Sequence, residues 1–314
     1  MVEDKRVNVR DIKKIMFILN KNSGGYRFGD LSWKLVNIYK TLTKELVDSE
    51  IELVKIEEFS DLARAVKKAC ENDVEWIIIA GGDGTIRAVN EYLLKYEKSV
   101  YLSVYPAGTV NLVCKELKTP TRPDLWVKKI LEGNTTPVCL ARANDKIFLT
   151  VAGIGVDSLV CDKITDKEKK RYSKFAYVFE GLNLAQREFF LNSWKYKFEV
   201  MLDDDDIWRE ATSVLVAKSK YYAGKFSLVN EAALNNPNLF VCLFTGNKSI
   251  DFLRYATLVA IEKLELDKTV RIFKAKKVKI RCNTEDFAVE LDGDSVVKSP
   301  LEISLVDEPV YFID

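Results

Sequence analysis

The sequence predicts an α/β nucleotide-binding domain with a mainly parallel sheet over residues 1–137. A mainly antiparallel β-sandwich domain follows over residues 138–314. Three observations predict this. From Val7 to about Val138, short apolar runs alternate with longer amphipathic stretches. Beyond that point the texture changes to short β-type runs separated by turn residues. The glycine- and asparagine-rich clusters of the first part each follow a predicted strand, as ligand loops do at the carboxyl ends of parallel strands. The C-terminal residues are left open to returning to the first domain.

Each element has its own signal. Ile15 to Leu19 and Val74 to Ala80 are apolar runs of the kind that parallel strands buried on both faces show. Leu31 to Leu46 reads as a helix and Ile51 to Ile56 as a strand. Asp61 to Cys70 is helical with Ser60 or Asp61 as its cap. Ile86 to Tyr96 carries apolar Ile86, Val89 and Leu93 at helical spacing, and Val100 to Tyr105 is a further strand. Thr119 to Pro123 marks a break and Asn134 to Pro137 a second. Later strands are expected at Ile147 to Val151, Tyr196 to Leu202, Thr212 to Val216, Phe240 to Phe244, Val278 to Cys282, Ala288 to Leu291 and Leu301 to Leu305. Helices are expected at Ser173 to Leu191 and Ser249 to Leu264. No internal repeat or low-complexity segment interrupts the chain.

Composition sets limits. A chain of 314 residues fits two modest domains, and 47% hydrophobic content fills full-sized cores. Lys plus Arg (48) nearly balance Asp plus Glu (47), so no net field draws the protein to nucleic acid or acidic lipid. The longest apolar stretches are too short to span a bilayer, and residues 3–6 (Glu3, Asp4, Lys5, Arg6) leave no signal-peptide core. Six cysteines without Cys-x-x-Cys spacing read as free thiols in a reducing cytosol. With no histidine at all, Ser-His-Asp triads, Cys-His pairs and histidine-bound zinc are excluded. Acid–base work falls to carboxylates, lysine, tyrosine or cysteine, which suits phosphoryl transfer, where positioning and charge neutralisation dominate.

The most telling stretch is Val74 to Thr85, a strand that runs into Gly81-Gly82-Asp83-Gly84-Thr85 and then a helix. Strand, glycine turn and helix present backbone N–H groups to a phosphate, and glycines let a ligand approach the backbone. Asp83 would repel that phosphate unless a cation lay between them, which magnesium bound to ATP supplies. The plainer reading makes Asp83 and Thr85 helix caps. Asn20-Lys21-Asn22-Ser23-Gly24-Gly25 follows the first strand and is either a loop of ordinary turn formers or a phosphate contact. Gly24 to Gly29 starts like a Walker A loop, but Asp30-Leu31 stands where Lys-Ser/Thr is required, and that reading fails. Gly108-Thr109-Val110-Asn111 opens a short helix, Leu112 to Leu117, as a cap or as a nucleotide contact.

Other clusters are weaker. Gly153, Gly155 and Ser158 mimic a dinucleotide fingerprint without its third glycine or βαβ context. Asp203 to Asp206 reads as a solvated hairpin turn, because consecutive aspartates on a strand point to opposite faces. Lys277, Lys279 and Arg281 alternate with Val278, Ile280 and Cys282, which is a half-buried strand and not a nucleic-acid surface.

Four blocks together make the chain resemble the diacylglycerol kinase catalytic-domain family of bacterial lipid kinases, related to sphingosine kinases. They are Asn20 to Gly25, Gly81 to Thr85, Pro106-Ala107-Gly108-Thr109-Val110-Asn111, and Asp292-Gly293-Asp294. Weaker matches are Gly153-Ile154-Gly155-Val156-Asp157 and Tyr221-Tyr222-Ala223-Gly224. The resemblance implies an NAD kinase/phosphofructokinase-like first domain, with the active site in the cleft between two domains. It implies an ATP-dependent lipid kinase acting on diacylglycerol or a related lipid alcohol, with ATP and Mg2+ as cofactors. Catalytic residues would be Asp83, also meeting the metal through Mg-ATP, and Asp294. Nucleotide contacts would fall to Asn20, Ser23, Gly24, Gly81, Gly82, Gly84, Thr85, Gly108, Thr109 and Asn111.

The chain departs from the family pattern in places. Lys21 replaces the usual proline, Leu112 a frequent Asp, and Asp294 the Glu proposed as base for the lipid hydroxyl, one methylene shorter. The plainer alternative places Asp294 in an Asp-Gly-Asp β-turn between Val289 and Val296. Asn235-Asn236-Pro237 stands where many bacterial members have Asp-Asp-Gly, associated with a structural magnesium. Amides bind a hard cation less well than carboxylates, so that second site is expected to be weak or absent. The predicted helix at Ser173 to Leu191, with Phe175, Val178, Phe179, Leu182, Phe189 and Phe190 beside Lys167, Lys169, Lys170 and Arg171, either lines a lipid slot or faces a core. The expected protein is cytoplasmic with transient peripheral membrane contact, takes ATP and a lipid, and binds no nucleic acid. Alternatives are an NAD kinase-like small-molecule kinase and a non-catalytic nucleotide- or lipid-binding relative.

Overall fold

The computed structural model describes residues 5–24, 31–155, 158, 196–222, 224 and 226–314. Gly25, Val156, Asp157, Ala223 and the helix expected at Ser173 to Leu191 with its basic lead-in lie outside the described residues. Two compact units form, one from Met1–Val138 with Glu308–Asp314, the other from Cys139–Asp307. Among the described residues no helix is long and apolar enough to cross a membrane.

The first unit is built on strands β1 (Lys5–Arg6), β2 (Lys14–Asn20), β3 (Glu50–Ile56), β4 (Trp76–Gly81), β5 (Tyr101–Pro106) and β6 (Asn134–Val138), with a C-terminal strand, Val310–Ile313. Their order across the sheet is β1, β6, the C-terminal strand, β5, β4, β2, β3. The five from the C-terminal strand to β3 are mutually parallel, and the other two pair antiparallel at one edge. Every residue of β4 and the interior of β2 is buried, which is why both read as unbroken apolar runs. Phe17, Leu19, Ile78 and Ala80 pack with Leu35, Ile38 and Leu42 of helix α1 (Leu31–Glu45). The alternate residues Met16, Ile18, Ile77 and Ile79 are equally inaccessible, so the sheet is covered on both faces. Helices α2 (Phe59–Glu71), α3 (Asp83–Lys95), α4 (Leu112–Glu116) and α5 (Pro123–Leu131) complete the unit among the described residues. Buried indoles are satisfied: Trp76 Nε1 donates to Ser103 Oγ at 3.1 Å and Trp126 Nε1 to the Val104 carbonyl at 2.9 Å.

Three local expectations need correction. Asn134 to Pro137 is no break but most of β6, paired with β1 through Asn134 and Thr135 and with the C-terminal strand as far as Val138. The cap of α2 is Glu58; Asp61 sits one turn in and accepts the N–H groups of Glu57 and Glu58 at 3.0 Å each. Helix α5, with Pro123 at its start, follows directly on the Thr119 to Pro123 break and escaped the sequence reading.

The second unit contains β7 (Ala141–Ala143), β8 (Lys146–Phe148), β9 (Val151–Ile154), β10 (Phe198–Leu202), β11 (Arg209–Ala211), β12 (Ser213–Ala217), the short pair β13 (Tyr221–Tyr222) and β14 (Phe226–Ser227), β15 (Leu239–Phe244), β16 (Val270–Ala275), β17 (Lys277–Cys282), β18 (Ala288–Leu291), β19 (Asp294–Lys298) and β20 (Leu301–Leu305). One sheet runs β11-β10-β17-β20-β7-β8 and the other β16-β15-β12-β9-β18-β19, every pairing antiparallel. Their inner faces share one core. Strand β15 shows the period-two logic: Leu239, Val241 and Leu243 enter that core. Phe240, Cys242 and Phe244 pack outward with Phe252 and Tyr255 of helix α6 (Ser249–Ala260). The strand expected over Ile147 to Val151 is split into β8 and β9. The helix expected to reach Leu264 stops at Ala260, and a separate 3₁₀ turn covers Leu264–Leu266.

Candidate active site

Strands β2, β4 and β5 end side by side, and the three loops that leave them interlock. Asn20 Nδ2 donates to Thr85 Oγ1 at 2.9 Å, joining the first loop to the second. A Cβ on Gly24 would lie 2.7 Å from Thr109 Oγ1, so only glycine lets the first loop lie against the third. Second and third loops meet backbone to backbone, since a Cβ on Gly108 would come within 2.6 Å of the Gly82 Cα. Gly81 is closed in by the Thr85 side chain. Gly84 differs: a Cβ there would meet nothing within 4 Å among the described residues. The glycines that look alike in the sequence thus divide into those that pack loops and one that faces open space.

Asn111 organises the third loop. It adopts the left-handed conformation (φ 53°, ψ 57°), which asparagine tolerates better than most residues. Its amide closes on Gly108, accepting the N–H and donating to the carbonyl, each at 2.9 Å. This turn aims the N–H groups of Leu112 and Val113 at Asp83, whose Oδ2 and Oδ1 accept them at 3.0 and 3.1 Å. The half-buried Asp83 carboxylate therefore caps α4, although it begins α3, whose own cap is Gly82. Those two N–H groups fix the orientation of the carboxylate. Burial, with Asp83 as a second cause, pushes the neighbouring Cys114 thiol far above its ordinary value, which makes it inert.

Two more residues of the first loop are informative. Ser23 is buried, and its hydroxyl has no hydrogen-bond partner among the described residues. Lys21, in place of the family's proline, donates its N–H to the Ile56 carbonyl at 3.0 Å and pairs with Glu57 at 2.6 Å, so the loop is tied to the end of β3.

In the second unit, Asp292-Gly293-Asp294 forms the turn from β18 to β19, with φ of 54° at Asp292 and 92° at Gly293. Asp292 accepts the N–H groups of Leu149 (2.9 Å), Thr150 (2.7 Å) and Val151 (3.3 Å) and the Thr150 hydroxyl (2.7 Å). That explains why the expected strand at Ile147 to Val151 breaks: its central N–H groups turn to a carboxylate. Glu290, nearly fully buried, accepts the Gly293 N–H and braces the turn that presents Asp294. Neither Asp292 nor Glu290 stood out as a separate residue in the sequence. A carboxylate beside glycine in a turn, and a glutamate in an apolar strand, are the signals that point to them.

The remaining clusters behave as structure. Gly153 is an interior residue of β9, paired with Leu215 and Glu290, so no dinucleotide loop exists there. Asp203 to Asp206 is the β10–β11 hairpin: Asp203 accepts the Lys276 and Lys277 N–H groups, while Asp204 and Asp205 pair with Lys279 and Arg209. Among the described residues no three acidic or cysteine side chains gather as a metal site.

A parallel sheet whose strand ends carry interlocked glycine loops, joined to an antiparallel sandwich, defines a class of two-unit α/β-plus-β folds. Residues 14–143 match the profile of the diacylglycerol kinase catalytic domain. Residues 150–312 match that of the YegS C-terminal NAD kinase beta sandwich-like domain. The chain belongs to the diacylglycerol kinase catalytic-domain family, a family of lipid kinases. It is 25% identical over 289 residues to a diacylglycerol kinase of Staphylococcus epidermidis, covering 92% of this chain and 88% of that one. It is 25% identical over 236 residues to the Bacillus subtilis diacylglycerol kinase, covering 74% and 76%. A solved diacylglycerol kinase structure from Bacillus anthracis superposes with a TM-score of 0.75 at 22% identity, covering 96% and 97%. An NAD kinase from Archaeoglobus fulgidus, solved with ATP, shares the fold at a TM-score of 0.52 and 14% identity, covering 96% and 93%.

Proposed function

We propose that this protein is an ATP-dependent lipid kinase that transfers the γ-phosphate of ATP to a hydroxyl of diacylglycerol or a related lipid alcohol. The observation that carries this reading is the convergence of three loops around a buried Ser23 hydroxyl and a Gly84 face that, among the described residues, have no partner and no close neighbour. In this reading the first-turn N–H groups of α3, with the Ser23 and Thr109 hydroxyls, receive phosphate oxygens. Asn20 and Asn111 have their amides engaged by Thr85 and Gly108 and act by fixing the loops. Gly24, Gly81, Gly82 and Gly108 contribute backbone where side chains would collide.

Asp83 fits the metal-side role because its carboxylate is held in one orientation by two N–H groups at the mouth of the second and third loops. Magnesium carried with the nucleotide supplies charge neutralisation at the transferring phosphoryl group. Asp294 is the proposed base: it takes the proton of the acceptor hydroxyl as that oxygen bonds to the γ-phosphorus, and ADP leaves. Peripheral contact with a membrane follows from the acceptor.

The test is incubation of the purified protein with ATP, magnesium and mixed micelles of diacylglycerol and related lipid alcohols, with Asp83→Asn as control. Phosphorylated lipid from wild type alone supports the proposal. Phosphorylation of NAD instead would favour the small-molecule kinase. Tight ATP binding without transfer would favour a non-catalytic relative.

A further inference from the structure

The structural magnesium associated with an Asp-Asp-Gly sequence in related kinases does not fit the residues present here. At the corresponding loop, Asn235-Asn236-Pro237 offers no carboxylate, and Asn236 Oδ1 already accepts from Asn238 Nδ2 at 2.9 Å. Hard divalent ions favour carboxylate oxygens and bind at about 2.0–2.6 Å. The loop's inward carbonyls are also taken. Lys218, at the end of the fully buried strand β12, is 0% exposed. Its Nζ donates to the carbonyls of Ala233 (2.9 Å), Leu234 (3.0 Å) and Asn236 (2.7 Å).

We infer that the Lys218 ammonium is a built-in cation that closes the loop around residues 233–238, and that the second unit takes no divalent ion there. A primary ammonium has three donors, and three carbonyls converge on this one. Burying it costs free energy unless those dipoles surround it, so the lysine and the loop conformation require each other. Both are anchored to the sandwich. The Lys218 N–H donates to the Thr150 carbonyl at 2.8 Å, and the Leu234 carbonyl also accepts the Cys139 N–H at 2.9 Å. A divalent ion on the same carbonyls would sit within a few ångström of the ammonium, and like charges at that distance in a dry site exclude one another.

The experiment is calorimetric unfolding of the nucleotide-free protein in EDTA, in millimolar Mg2+ and in millimolar Mn2+, for wild type and Lys218→Met. Wild-type unfolding temperatures are expected to coincide in all three. Lys218→Met takes away the donor that three carbonyls share, replaces a buried ammonium with an apolar group, and is expected to unfold roughly 10 °C lower. A wild-type unfolding temperature that falls in EDTA or rises with either ion would overturn the inference. So would a Lys218→Met protein as stable as wild type. Should Lys218→Met not fold, the wild-type ion comparison decides alone. Neither measurement uses a lipid or ATP, so the outcome is independent of the proposed kinase activity.

Discussion

Gly84 and Gly108 can be separated by the same substitution. A methyl group on Gly108 would stand 2.6 Å from both the Gly82 Cα and Asn111 Oδ1. Carbon atoms in contact prefer about 3.5–4.0 Å, so the loops must part by about 1 Å. Overpacking of that size costs about 2 kcal/mol, or roughly 5 °C in unfolding temperature for a unit of this size. If the loop holds phosphate as proposed, displacing it by about 1 Å costs about 100-fold in turnover. At Gly84 a methyl group meets nothing within 4 Å among the described residues, and the residue lies in the first turn of α3. Gly84→Ala should therefore be neutral or stabilise by up to about 0.5 kcal/mol through reduced freedom of the unfolded chain. It should nonetheless weaken ATP binding by about tenfold or more, near 1.4 kcal/mol, if the phosphates come to this face as the proposed function has it. Scanning calorimetry and ATP titration of both variants check this. Unchanged ATP affinity in Gly84→Ala would refute the assignment of that face.

Other predictions concern the carboxylates. Asp292→Asn puts an amide donor against N–H groups and should cost about 2 kcal/mol, lowering the unfolding temperature by roughly 4–8 °C in scanning calorimetry. Asp294→Asn should lower kcat about 100-fold or more with little change in the KM for ATP, while Asp294→Glu retains turnover; equal loss in both, read from steady-state kinetics, would argue against a base at this position. Hydrogen bonding from Arg254 is the main cause that lowers the Asp267 carboxyl from 3.8 to about 2. Its folded value is depressed, so its contribution is full above about pH 4 and is lost as pH falls toward 2. Asp267→Asn should remove about 2 kcal/mol of that acid sensitivity, seen as a flatter unfolding temperature between pH 4 and pH 2.

Much of the fold was legible because burial imposes period. Strands β2 and β4 are covered on both faces and read as continuous apolar runs, and the alternation of Val278 and Ile280 with lysines marked β17 from one buried face. What failed was decided by partners distant in the chain. Asn134 to Pro137 has turn composition, yet it becomes a strand because the C-terminal strand pairs with it. The strand expected over Ile147 to Val151 breaks because a carboxylate more than a hundred residues away collects its N–H groups. At the candidate site the loop blocks were visible in the sequence, but not which glycines pack the loops against one another. Gly82 and Gly84 carry identical letters, and only the approach of Gly108 separates packing from access. Lys218 was hidden because lysine reads as surface wherever its acceptors are unseen.

The strand Val310–Ile313 lies in the interior of the first unit's sheet, between β5 and β6, and Ser103 Oγ donates to the Ile313 carbonyl at 2.6 Å. Synthesis on the ribosome therefore leaves the earlier half with an open seam until its final segment emerges, after the whole sandwich has been made. Removing those few residues would not trim a tail. It would withdraw a central stave and leave two unpaired edges facing each other, a strong invitation to aggregation.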